Sequence, residues 1–391
     1  TAAARKPDVV SMAASAGYHA QQHQVTTADG FILCLHRIVA EGAEPSSRRA
    51  SDAAAGPTPG GRKPVVLMVH GLMQNAEAFV VGGRGHAMAF HLVDAGFDVW
   101  LGNNRGNRYS SKHLRLKPDG APPLCVCFIV STPHAPTDDA YWDFSLDDLA
   151  RFDVPAMVRY VTSSSGNDKL SYVGFSQGTA QCFASLASQP EVSSHISAFV
   201  ALSPAVTVRG LSQSFMTSLV EANHEFLFLL FGKKAMLPSA LTWGDILAAR
   251  TFVRVCFDWC MFLFGWETKQ ITDDRKPDLY HCLYSYSSTK SVRHWFQLMK
   301  TGRFEMYNDD PSPSQHRIPP VYDVSTITPP MALFIGGRDG VINPTRLLEL
   351  LPACDVHHEP EYEHLDMLWA DSAPQSVFPA VSQFLDKHTA V

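Results

Sequence analysis

Gly174-Phe175-Ser176-Gln177-Gly178 puts a serine midway between two glycines, after the apolar run 170–173 and before a helix-like stretch that opens at Gln177. Gly-x-Ser-x-Gly at a strand-to-helix bend is the pattern of a nucleophile elbow, in which the hydroxyl is held out above the end of a sheet. Gly174 and Gly178 remove the side chains that would collide across so sharp a bend. A serine hydroxyl is a poor nucleophile at neutral pH. It needs a neighbouring base, and the base needs a carboxylate to fix its tautomer and stabilise its protonated form. With such an elbow the acid and then the histidine follow the serine in the chain. Asp339 in Gly336-Gly337-Arg338-Asp339-Gly340 and His364 in Tyr362-Glu363-His364-Leu365-Asp366 stand in that order. Each has a plainer reading: Asp339 as a turn residue, and His364 as one of 17 histidines. His357 and His358 compete for the base role, and His364 is preferred because it follows the last strand instead of lying within it. Acyl transfer also needs two donors for the developing oxyanion. Gln177 N–H is one, since a residue opening a helix has a free N–H. The turn His70-Gly71-Leu72, after an early strand, supplies Leu72 N–H as the other. Each donor is worth on the order of 3 kcal/mol to the transition state.

The elements that must carry these residues follow from hydrophobic pattern. The run 65–69 is continuous and apolar, as a strand buried on both faces is, and the mainly apolar runs 97–101, 170–173, 199–202 and 331–335 read as further strands. A final strand lies near 356–358. Helical spacing at 87–93, 146–161 and 177–188 separates the earlier strands, with Pro155 expected to bend the second helix. This alternation implies an α/β fold with a mostly parallel sheet and helices on both faces. Val25-Thr26-Thr27 and the apolar run 31–35, flanking Ala28-Asp29-Gly30, read as a hairpin at the sheet edge. A helix at 376–385 closes the chain. The stretch 207–318 breaks the rhythm; it reads as helical, with aromatic clusters at 226–231 and 256–266. It is expected to cap the carboxyl end of the sheet, leaving 1–206 and 319–391 as the core. The runs 41–63 and 117–139 are expected to be surface loops.

Net charge is 32 − 38 = −6 and there is no basic stripe, so nucleic acid is not an expected partner. Eight cysteines are scattered without a C-x-x-C pair, which argues against a zinc knuckle or thioredoxin-like site. Cys125/Cys127 and Cys256/Cys260 are close enough in sequence to bond, but buried free thiols are the favoured state. No N-x-S/T acceptor is present, Asn343-Pro344-Thr345 being blocked by its proline. No run of about 18 apolar residues occurs in the chain. The chain begins at Thr1, and an N-terminal segment is expected to have preceded it.

With the residues assembled, the chain resembles the acid lipase family: the gastric and lysosomal lipases and the fungal steryl ester hydrolases. The resemblance runs through Gly17-Tyr18, residues 23–38, His70-Gly71-Leu72, residues 94–110 (DAGFDVWLGNNRGNRYS), residues 141–160, the elbow, residues 223–231, His294-Trp295 and His364-Leu365-Asp366. The elbow Gly-Phe-Ser-Gln-Gly is closer to the fungal branch than to the animal lipases, which place a histidine before the serine. The resemblance implies an α/β-hydrolase fold with an inserted helical cap and lid. It implies hydrolysis of neutral-lipid esters, sterol esters or triacylglycerols, with no metal or organic cofactor. Carried over by motif, Ser176, Asp339 and His364 are the triad, and Leu72 and Gln177 the oxyanion donors. The expected partner is a lipid–water interface, on an intracellular membrane or lipid droplet, with secretion as the alternative. Two other activities stay open: a peptidase or soluble-ester hydrolase of the same fold, and a non-catalytic lipid-binding protein.

Overall fold

The computed structural model describes residues 7–40, 62–117, 139–209, 251, 253–258, 265–309 and 318–389. Among the described residues, nine strands form one sheet: β1 (Tyr18–Thr26), β2 (Phe31–Ala40), β3 (Val65–Val69), β4 (Asp98–Gly102), β5 (Lys112–His113), β6 (Leu170–Phe175), β7 (Ile196–Leu202), β8 (Met331–Gly336) and β9 (Asp355–Glu359). Their order is β1-β2-β4-β3-β6-β7-β8-β9, with β5 pairing only to β2. The first two strands are the expected hairpin, in register from Tyr18↔Ala40 to Thr26↔Ile32. They are longer than their apolar cores because β1 alternates buried residues with polar ones facing solvent, as an edge strand does. From β4 across to β9 every pairing is parallel.

Why the sheet sits in the middle of the molecule follows from side-chain alternation. Every residue of β3, β4, β6 and β8 is buried. Val66, Met68, Val99, Val173, Val200 and Phe334 pack into one core, with helices Met88–Asp94 and Ala373–Thr389. Val65, Leu67, Trp100, Tyr172, Phe199 and Leu333 pack into the other, with helices Val154–Ser165 and Gln177–Ser188. Burying a valine or leucine side chain this fully stabilises the fold by roughly 1.5–3 kcal/mol, so the period-two pattern pins the register.

Pro155 acts as its chemistry requires. The helix that begins at Leu146–Asp148 widens into a π-turn at Leu149–Asp153 before resuming at Val154–Ser165, with the proline in its first turn. A proline offers no N–H and crowds the preceding turn; the wider loop absorbs both effects.

Among the described residues, 203–330 contributes no strand to this sheet. It contains helices Lys276–His281 and Thr289–Thr301. The aromatic cluster at 226–231 and residues 259–264 lie outside the described residues, as do Cys125, Cys127 and Cys260. Cys34, Cys182, Cys256 and Cys354 are free thiols. No described helix is long and apolar enough to cross a membrane.

Candidate active site

Ser176 joins β6 to helix Gln177–Ser188 with φ 51° and ψ −116°. A non-glycine residue held in such a region costs about 1–3 kcal/mol and persists only when its surroundings over-determine it. They do so here. Ser176 N–H donates to Leu202 O at 3.0 Å, and its carbonyl accepts Thr179 N–H at 2.9 Å and Thr179 Oγ1–H at 2.6 Å. The flanking glycines have steric reasons. A Cβ on Gly174 would lie 2.7 Å from Thr179 N, and one on Gly178 would lie 2.1 Å from Val69 O. The elbow helix therefore rests directly on the end of β3.

Asp339 lies in the loop after β8 and His364 in the loop after β9, each only 4% exposed. Asp339 Oδ1 accepts Val341 N–H at 2.9 Å and Ile342 N–H at 3.4 Å, which aims Oδ2 at the histidine. His364 Nδ1 is 2.7 Å from Asp339 Oδ2, and His364 Nε2 is 2.7 Å from Ser176 Oγ. A carboxylate can only accept, so in the neutral ring Nδ1 carries the hydrogen and the Ser176 hydroxyl donates to Nε2. Ser203 Oγ–H donates to His364 O at 2.8 Å, tying the histidine loop to the end of β7. The competing His357 and His358 are inside β9, paired with Phe334 and Ile335, and the His357 ring stacks on Phe334 at 4.4 Å.

The turn expected to supply the second oxyanion donor lies against Ser176: a Cβ on Gly71 would be 3.2 Å from Ser176 Cβ. Leu72 is half-buried in that turn. Gln177 is the first residue of its helix, where N–H groups have no intrahelical partner. Its side-chain Oε1 accepts Trp295 Nε1–H at 2.8 Å, so helix Thr289–Thr301 reaches the elbow through one hydrogen bond.

The Leu101-Gly102-Asn103-Asn104-Arg105-Gly106-Asn107 stretch, read from sequence only as a family marker, is a buried polar brace for this turn. His70 is fully buried, which pulls its pKa down to about 4. Its Nδ1–H donates to Gly71 O at 2.8 Å, and its Nε2 accepts Asn104 N–H and the Asn107 amide, both at 3.2 Å. Asn103 Oδ1 accepts Ala76 N–H at 3.0 Å. Asn104 exchanges two hydrogen bonds with Gln181 in the elbow helix, each 2.9 Å. Arg105 pairs with Asp29 at 2.6 Å and with Asp153 at 2.7 Å, and those carboxylates hold its guanidinium charged against the cost of burial. None of this follows hydrophobic periodicity; the only signal was an unusual density of Asn and Arg after an apolar strand. Among the described residues, no group of three His, Cys, Asp or Glu side chains is placed to hold a metal ion.

Residues 9–83 match the model of a partial alpha/beta-hydrolase lipase region, and residues 64–371 match that of the alpha/beta hydrolase fold. The crystal structure of a candidate lipase from Sulfolobus solfataricus has a TM-score of 0.59 to this chain, covering 95% of each at 12% identity. These likenesses and the sheet order make the chain an α/β-hydrolase. A Schizosaccharomyces pombe protein named "Probable lipase C16A3.12c" is 37% identical over 383 residues, 95% of this chain and 78% of the relative. Gastric triacylglycerol lipase of Rattus norvegicus is 34% identical over 378 residues, 93% of this chain and 87% of that one. The chain belongs to the acid lipase family, whose members are carboxylic ester hydrolases.

Proposed function

We propose that the protein hydrolyses the esters of neutral lipids, sterol esters or triacylglycerols or both, through Ser176, His364 and Asp339. One observation carries the reading: an unbroken chain of two 2.7 Å contacts runs from Ser176 Oγ through the His364 imidazole to Asp339 Oδ2. Ser176 Oγ attacks the ester carbonyl as His364 Nε2 takes its proton. Asp339, accepting from Nδ1–H, holds the ring orientation and stabilises the imidazolium. The carbonyl oxygen becomes an oxyanion facing Leu72 N–H and Gln177 N–H. His364 then protonates the departing alcohol oxygen, leaving an acyl group on Ser176. Water, deprotonated by the same nitrogen, releases the fatty acid and restores the serine.

The substrate class rests on different support. The relatives named above include a gastric triacylglycerol lipase, and the aromatic-rich stretch 207–318 suits a cap over an acyl-chain site. The division into a core of 1–206 and 319–391 and a cap of 207–318 belongs to this proposal, as does docking at a lipid–water interface. The test is hydrolysis of emulsified cholesteryl oleate and triolein beside dissolved p-nitrophenyl butyrate, with Ser176→Ala as control. Turnover of the emulsions that is lost in the variant supports the proposal. Turnover of the dissolved ester alone makes the protein a soluble-ester hydrolase instead.

A further inference from the structure

The imidazole of His364 is fixed at two corners by hydrogen bonds in its own plane, but those bonds do not prevent it from swinging about the axis that joins them. Its faces are what an adjacent group must control. Trp266 lies parallel to the ring, centroids 5.3 Å apart and planes 7° from each other, while Phe175 approaches at 5.4 Å and 51°. Trp266 is 6% exposed, so the stack is shielded from water.

Trp266 does not belong to the histidine's own loop; it is brought there by the neighbouring residue, Glu363. The Glu363 carboxylate accepts Glu267 N–H at 2.8 Å and Thr268 N–H at 2.7 Å. Two successive backbone N–H groups converging on one carboxylate is how a main chain binds an anion. Thr268 has φ 48°, an outlier for a β-branched residue, which needs external support to persist. Its hydroxyl is 2.9 Å from Tyr280 OH. The clasp continues beyond it. Asp371 N–H donates to Gln270 O at 2.9 Å, Thr272 N–H donates to Asp371 Oδ2 at 3.0 Å, and Arg275 pairs with Asp371 and donates to Trp369 O. Asp366 Oδ2 accepts Glu363 N–H at 2.7 Å, so the turn carrying Glu363 is itself braced.

We propose that Trp266, clasped to the catalytic loop by Glu363, is a positioning residue for His364. The inference rests on the triad reading above. Its physical content is twofold. An indole face beside the ring favours the imidazolium that forms when Ser176 is deprotonated. Once the acyl group is on Ser176, the serine no longer donates to Nε2, so Asp339 and the stacked indole are left to keep the ring aimed at the incoming water. Deacylation therefore leans on Trp266 more than acylation does.

The experiment is burst-phase kinetics on a p-nitrophenyl ester with the full chain and its Trp266→Ala, Trp266→Phe and Glu363→Gln variants, beside Ser176→Ala. Trp266→Ala is expected to lower kcat about tenfold. It should leave the acylation burst visible and KM no higher. Trp266→Phe, which keeps a flat face, should recover most of the loss, and Glu363→Gln should show the same signature in smaller measure. A Trp266→Ala variant that melts with wild-type cooperativity yet turns over within twofold of wild type, or one whose loss lies in acylation alone, overturns the inference. If Trp266→Ala does not fold, the comparison of Trp266→Phe with Trp266→Leu, similar in apolar character but without a π-face, decides it: equal deacylation rates refute the assignment. Ser176→Ala separates this failure from failure of the triad reading, because an active Ser176→Ala enzyme refutes the triad whatever Trp266 does.

Discussion

Asn104 and Gln181 join the loop after β4 to the elbow helix by two side-chain hydrogen bonds, each 2.9 Å, with both residues buried. An amide pair of this kind satisfies both partners at once, and removing one strands the other out of water's reach. Asn104→Ala or Gln181→Ala should each destabilise the fold by about 1–3 kcal/mol. The double variant should cost less than the sum of the singles. Urea unfolding of the four proteins in the cycle gives the coupling directly, and additive costs would mean that the pair does not act as a unit.

Gly178 sits where even a methyl group has no room, since its Cβ would meet the Val69 carbonyl at 2.1 Å, and that neighbour is backbone. Gly178→Ala should therefore lose about 3 kcal/mol or more of stability, through displacement of the helix that begins beside Ser176. The urea midpoint measures it. A stable Gly178→Ala protein would show that the helix can retreat from β3 at little cost.

The Arg105 side chain is 1% exposed and holds the wholly buried Asp153 on one side and the part-exposed Asp29 on the other. Replacing it by methionine leaves an uncompensated charge at Asp153 and should cost about 3–5 kcal/mol. Asp29→Asn should cost less, since the Arg105 pair with Asp153 remains and Asp29 is partly solvated. The ratio of the two losses in denaturant melts checks which carboxylate carries the pair.

Much of the site was legible because its parts obey local rules. Val65–Val69 is buried at all five positions, and a run of five apolar residues ending in His-Gly-Leu could hardly be anything but a central strand with a turn after it. The elbow was legible because its glycines have a steric cause, and His364 because it follows β9 while His357 and His358 are spent inside that strand. What stayed hidden joins distant segments through polar or ring-stacking contacts that leave no period in the chain. Trp266 meets His364 across 98 positions of sequence, and Glu363 accepts from N–H groups that carry no residue signature at all. The π-turn at Leu149–Asp153 was half legible: Pro155 announced a disturbance, but nothing local said that it would fall where Asp153 meets Arg105.

Asp366 gives the protein a predictable dependence on pH. It is wholly buried, with one oxygen on Glu363 N–H and the other without a partner among the described residues. Burial, reinforced by the charges of Glu363, Asp339 and Asp371, raises its pKa from 3.8 to about 7 despite the opposing Glu363 N–H. Between those values the native state keeps a proton that the unfolded chain has released. The stability it lends is thus full below about pH 4 and is lost as pH rises towards 7. Buried His36 and His70, each lowered to about 4, act in the opposite sense: their contribution is present above 6.5 and is lost as pH falls through 4. Asp366→Asn should remove only the first slope. Unfolding free energies of wild type and variant between about pH 4.5 and 7.5 should therefore converge or cross as pH rises, whereas a constant offset would mean that Asp366 titrates normally.

Ser176 is proposed as the nucleophile and His364 as its base. An active-site fluorophosphonate, whose phosphorus is attacked by the serine oxygen with loss of fluoride, reads this directly by peptide mapping. The adduct is predicted on the peptide bearing Ser176, absent in Ser176→Ala and formed at least about a hundredfold more slowly in His364→Ala. An adduct on another residue, or ester hydrolysis that survives in Ser176→Ala, would contradict it.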